Sequence, residues 1–190
     1  METKKPEELP VTELRHGEQI PSNYTGIIKY PNGSKYWVLN GKLHREDGPA
    51  IEWANGDKEW YWNGWLHRED GPARESLKGS KWWFLNGKQH RENGPAVELF
   101  YGHKEWYLNG KHHREDGPAY EDAEGDKSWY LNDEHLFRLP PESQPFIFLE
   151  EFVDEEGKKQ IKILNQEGIE IWPNLPGLKE YADNWQALKQ

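Results

Sequence analysis

The chain has 190 residues, carries 24 Lys/Arg against 34 Asp/Glu for a net charge of −10, and contains no cysteine. Without cysteine there is no disulfide framework and no thiolate metal site, and the acidic balance disfavours ordinary phosphate-backbone binding, which needs clustered Lys and Arg. Only 34% of residues are hydrophobic, yet 11 are Trp and 9 are Tyr, so the apolar area sits in a few large rings and the chain does not read as disordered.

Residues 1–22 form a polar N-terminal segment without the apolar run of a signal peptide. Nowhere does the chain hold about 18 consecutive apolar residues, the minimum for a membrane-spanning helix. A soluble, cytoplasmic protein with no membrane span is the expectation.

Residues 23–139 are a tandem repeat. HREDGPA begins at His44, His67 and His113, and HRENGPA at His90, in steps of 23 residues. The same step links Trp37, Trp60, Trp83, Trp106 and Trp129, and also Asn40, Asn63, Asn86, Asn109 and Asn132. It is kept by Lys35, Lys58, Lys81, Lys104 and Lys127, and by Gly33, Gly56, Gly79, Gly102 and Gly125. Such a period marks a repeat architecture, in which each unit stacks on its neighbours.

Within one unit, two runs rich in aromatic and β-branched residues flank a Gly-containing turn, which predicts a β-hairpin. Asn-Gly after the second run supplies the positive φ of the next turn. Pro72, Pro95 and Pro118 are expected at strand starts, where a missing N–H does least harm. Pairing Trp53 with Lys58 would put Pro49, Ile51, Trp53, Trp60 and Trp62 on a core face. The other face would then carry Ala50, Glu52, Glu59 and Tyr61. The predicted fold is mostly β: an elongated antiparallel sheet or solenoid of hairpins spaced about 10 Å apart.

After Asn132 the unit decays, with Asp133 in place of the turn glycine, and Pro140-Pro141 marks a boundary. In residues 140–190, the runs 146–153, 159–165 and 169–172 read as strands, and Leu178, Tyr181, Trp185 and Leu188 fall on one helical face. A C-terminal β-hairpin with a short α-helix is the expected cap over an open sheet edge. Half of the net charge, −5, lies in this segment.

The stretch Tyr30–His44, YPNGSKYWVLNGKLH, resembles the MORN repeat, a β-hairpin unit of the same period built around YPNG, Lys-Tyr and NGK-x-H. The resemblance covers about residues 23–135. It departs in a shorter linker from Tyr36 to Asn40 and in HREDGPA standing where H-G-x-G would be. The chain also resembles a MORN-related group with antitoxin-like members, and the HREDGPA-type arrays of phages and large DNA viruses. These resemblances imply protein or membrane-lipid contacts and no shared catalytic machinery.

No residue pattern points to an enzyme. His44, His67, His90 and His113 recur at repeat spacing, about 10 Å apart in a stacked sheet, too far to share one ion. They read as loop-closing residues, with Arg45, Arg68, Arg91 and Arg114 pairing with Asp or Glu. Serines hold no shared constellation, carboxylates occur as identical copies, and no phosphate-binding glycine loop is present. No cofactor and no metal are expected.

The second face reads either as a second half-buried layer or as an exposed ribbon, and in the latter case it is the candidate surface. Val38, Tyr61, Phe84, Tyr107 and Tyr130 form a row, with Ala50, Ala73, Ala96 and Ala119 opposite and Glu52, Glu75, Glu98 and Glu121 beside them. Aromatic residues at this density mark interaction surfaces. Trp65 stands where other units have Lys42, Lys88 or Lys111, and Trp82 where they have Tyr36, Glu59, Glu105 or Ser128. Neither is obligatory for the repeat, so both are candidates for partner contact. The expected function is non-catalytic binding of a host protein, in the form of a virus-encoded inhibitor of a defence or toxin protein. The alternatives are sequestration of a small aromatic ligand such as a nucleotide signal, and acidic mimicry of nucleic acid. Direct nucleic-acid binding is not expected.

Overall fold

A computed structural model describes residues 9–15, 18–139, 147–153, 159–165 and 168–173. All regular structure among them is β-strand. The chain divides into two compact units, Met1–Phe100 and Tyr101–Gln190.

In the first unit, strands Val11–Glu13, Gly26–Lys29, Lys35–Leu39, Ile51–Glu52, Lys58–Glu59, Arg74–Glu75, Lys81–Trp82 and Val97–Glu98 pair in that order. Every pair is antiparallel except the first, where Val11–Glu13 runs parallel to Gly26–Lys29. The polar N-terminal segment thus contributes an edge strand, held also by the Tyr24 hydroxyl donating to the Pro10 carbonyl at 3.2 Å. Lys35–Leu39 stays in this sheet and also pairs with Lys42–Leu43, whereas just past Lys58–Glu59 and Lys81–Trp82 the chain turns off it. Tyr61–Trp62 pairs with Trp65–Leu66, and Phe84–Leu85 with Lys88–Gln89, as separate short hairpins.

Two turns generate this path. The Asn-Gly turns have positive φ at both residues, 49° and 87° at Asn63 and Gly64, the conformation that suits the twist of a two-residue hairpin loop. The other turn is one residue shorter than expected. Trp53 N–H donates to the Asp57 carbonyl at 2.9 Å and Gly56 N–H to the Trp53 carbonyl at 2.9 Å, so Trp53 and Asp57 close a three-residue loop. Glu52 therefore faces Lys58, and Ile51 faces Glu59. This corrects the expected pairing of Trp53 with Lys58 by one residue, and a one-residue slip exchanges the two faces.

The corrected register fixes what is buried. Ala50, Ala73 and Ala96 are fully buried, and Ile51 and Val97 nearly so, whereas Trp60 and Trp83 are half-buried and Trp62 is exposed. The alanine row is core and does not line an exposed ribbon. Its carbonyls accept the N–H groups of Trp37, Trp60 and Trp83 at 2.7–2.8 Å. On the solvent side the strands align charges in one row: Lys58 lies between Glu52 and Glu75, and Lys81 between Glu75 and Glu98. Opposite charges directly across strands are favourable.

Side chains link consecutive repeats. Ser34 Oγ accepts the Ala54 N–H at 3.0 Å, Asp57 Oδ1 the Leu77 N–H at 2.9 Å, and Ser80 Oγ the Phe100 N–H at 3.0 Å. In these three units the position is held by a short acceptor, Ser, Asp and Ser.

The second unit repeats the pattern. Lys104–Glu105, Tyr120–Glu121, Lys127–Leu131 and Glu134–Leu139 pair antiparallel in order, and Tyr107–Leu108 forms a short hairpin with Lys111–His112. Asp133 keeps the turn despite replacing glycine, at φ 71°. A separate three-stranded antiparallel sheet follows: Ile147–Val153, Lys159–Asn165 and Gly168–Pro173. The helix expected over 178–188 lies outside the described residues.

Candidate functional site

The HREDG loop is a structural staple. The Arg45, Arg68, Arg91 and Arg114 guanidiniums lie 3.8–4.2 Å from the ring centroids of Trp37, Trp60, Trp83 and Trp106. Arg68 donates through Nε to Asp70 at 2.8 Å and through a terminal nitrogen to the Pro72 carbonyl and Glu75, both at 3.3 Å. The glycine of the motif is needed for space: a Cβ on Gly71 would stand 2.9 Å from the Arg68 guanidinium carbon. His44 and His67 accept the N–H of Asn63 and Asn86 on Nδ1, at 3.0 and 3.1 Å. Each of these histidines therefore ties its loop to the next Asn-Gly turn.

The candidate residues read from sequence separate into three environments. Glu52, Glu75, Glu98 and Glu121 each lie opposite lysines across the strands and within 3.5 Å of Arg45, Arg68, Arg91 and Arg114 respectively, so this row is charge-compensated. Trp82 is half-buried, paired with Arg74 and Val97, with the Arg74 guanidinium 5.0 Å from its ring centroid. Phe84 is half-buried opposite Gln89. The Tyr61 hydroxyl donates to Glu59 at 3.0 Å, and burial together with that carboxylate pushes the phenol up to about 12.

Trp65 differs from these. It is 63% exposed, and Trp62, facing it across the Asn63-Gly64 turn, is 42% exposed. The Trp65 ring lies against Gly87, where a Cβ would approach its ring carbon to 2.5 Å, just as the Lys42 side chain covers Gly64 at 3.7 Å. The Trp62 ring centroid is 4.4 Å from that of His44. On the opposite turn edge Leu77 and Phe100 are 74% and 59% exposed.

Tyr107 and Tyr130 belong to a constellation in the second unit. Glu105 receives His103 Nε2 at 2.6 Å on one oxygen, and the Tyr107 hydroxyl at 2.7 Å and His112 Nε2 at 3.1 Å on the other. Rings continue the chain: Tyr107 to His112 at 4.0 Å, His112 to Tyr130 at 5.0 Å and Tyr130 to His135 at 4.9 Å. The bond from His112, followed by those from Tyr107 and His103, outweighs burial and holds the Glu105 carboxyl at about 2. Burial and the Glu105 carboxylate push the Tyr107 phenol far above its ordinary value. At neutral pH Glu105 is a carboxylate and Tyr107 a phenol, so the hydroxyl donates and the carboxylate accepts. Among the described residues no group of three His, Cys, Asp or Glu side chains is arranged to hold a metal ion.

Beside this network lies a cleft of about 420 Å³ lined by Tyr120, Asp126, Ser128, Tyr130, His135 and Arg138. Its origin is a substitution within the repeat. Tyr120, Ser128 and Arg138 are in register on adjacent strands, and the position of Ser128 is held by Tyr36, Glu59, Trp82 and Glu105 in the other units. One small side chain leaves the space open.

Trp65, Tyr107 and Tyr130 are candidates from the sequence alone, whereas His103, Glu105, His112, Tyr120, Ser128, His135 and Arg138 emerge as site residues only in the structure. A signal was present for the histidines. His103 stands where other units have Ser34, Asp57, Ser80 or Asp126, and His112 and His135 stand where they have Leu43, Leu66 or Gln89.

Fold and site together define a tandem β-hairpin repeat protein. Comparison with models of known families finds no match, and none of the curated proteins matches.

Proposed function

We propose that the chain is a non-catalytic, protein-binding repeat protein, in the specific form of a virus-encoded inhibitor that occupies a functional surface of a host defence or toxin protein. The observation that carries this reading is the pair Trp62 and Trp65, two exposed tryptophans that face each other in the strand register across one Asn-Gly turn. Exposed aromatic pairs of this kind are the usual anchors of protein interfaces. Lysine fills the Trp65 position in three sister units and glutamate in the fourth, so the ring is not a requirement of the fold. The MORN-like character of the repeat and its likeness to viral HREDGPA arrays support the inhibitor form.

Affinity capture from host lysate with wild type and Trp65→Lys tests the reading. Wild type should recover a specific protein that Trp65→Lys loses, while the stability of the variant stays within about 0.5 kcal/mol of wild type. Recovery of no specific protein, or equal recovery by both chains, overturns it.

A further inference from the structure

Residues Glu105, Tyr107 and His112 have their counterparts one repeat later in Ser128, Tyr130 and His135. In the earlier copy the Tyr107 hydroxyl and His112 Nε2 converge on a carboxylate oxygen of Glu105. In the later copy the same two residue types line the cleft, with the rings of Tyr130 and His135 again adjacent at 4.9 Å. The side chain that brought the carboxylate is shortened to the hydroxymethyl of Ser128, which is itself buried. The earlier copy is thus a ligated version of the later one, with Glu105 in the ligand's place.

We propose that the Ser128 cleft is a binding site for the carboxylate of a small organic acid. Tyr130 and His135 take the donor roles that Tyr107 and His112 perform on Glu105, and the Ser128 hydroxyl and Arg138 complete the polar rim. The Tyr120 and Tyr130 rings supply a surface on which a flat apolar body can lie. The counterpart of His103 is Asp126, a buried carboxylate that would repel the ligand were it unscreened. It is not: Arg138 Nε donates to both of its oxygens, at 3.1 and 2.9 Å, and a terminal nitrogen adds a further contact. A volume of about 420 Å³ suits a single-ring acid. The site is separate from the Trp62/Trp65 edge and does not depend on the protein-binding reading.

Calorimetric titration of the full chain with sodium benzoate, using benzamide as the uncharged isostere, tests this. Benzoate should bind saturably at one site, and benzamide at least about tenfold more weakly, the size expected for losing charge-assisted hydrogen bonds. Ser128→Glu supplies the carboxylate within the chain, so it should abolish benzoate binding and raise the melting temperature. Tyr130→Phe, which keeps the ring, should weaken benzoate roughly tenfold and keeps the test decisive if Ser128→Glu does not fold. Absence of saturable benzoate binding by wild type, equal binding of benzoate and benzamide, or unchanged affinity in Tyr130→Phe each overturns the proposal.

Discussion

Glu105 and Ser128 occupy one repeat position and have opposite consequences. A carboxylate at that position gathers His103, Tyr107 and His112 around itself, whereas a hydroxymethyl leaves a cleft. The folded state lowers the Glu105 carboxyl from 4.5 to about 2. A depressed carboxyl stabilises the fold above its unfolded value, and the contribution is lost as pH falls through the folded value. Glu105→Gln should therefore be less stable than wild type at neutral pH, and the gap should narrow as pH drops from about 4.5 toward about 2. Melting curves across that window check it; a gap that stays constant would show that the carboxylate charge is not what the neighbours hold.

At the scale of the element, HREDG is a slot for one guanidinium between a Trp ring and a glycine. Arg68 spends its planar fork on Asp70, the Pro72 carbonyl and Glu75 while its face lies over Trp60. Lysine has the charge but neither the plane nor the fork. Arg68→Lys should thus cost about 1–3 kcal/mol, read by thermal or urea unfolding. Gly71→Ala should cost a similar amount, because its Cβ would stand 2.9 Å from the guanidinium carbon. A neutral result for both would mean that the loop closes without the staple. The hairpins themselves were readable from sequence because Asn-Gly imposes positive φ locally. Their register was not, because the closing pair Trp53–Asp57 is a backbone bond that no side chain announces.

For the whole molecule, stability is distributed over stacked repeats rather than concentrated in one core, as expected when each hairpin is marginal alone. In the second unit Trp106 N–H donates to the buried Ala119, and its ring receives the Arg114 guanidinium at 4.1 Å. Trp106→Ala removes the ring and its stacking contact with Arg114, so a loss of about 3 kcal/mol is expected. Limited proteolysis reads the outcome, and resistance equal to wild type would contradict it. Of the candidate site, the sequence made Trp65 visible because a lone tryptophan among lysines breaks the repeat. The charge-compensated state of Glu52, Glu75, Glu98 and Glu121 was hidden, since it depends on which lysines and arginines lie across the strands.

The sequence by itself determined the 23-residue period, the hairpin character of the unit and the place of each Asn-Gly turn, because these follow from local conformational preference and repetition. Only the tertiary structure decided which breaks in the repeat act together. His103 precedes the Lys104–Glu105 strand and His112 lies on Lys111–His112, two and seven residues from Glu105, and they meet at its carboxylate only after the hairpin folds back. The meaning of Ser128 has the same source: a small residue becomes a cleft only when Tyr120 and Arg138 stand on the strands beside it.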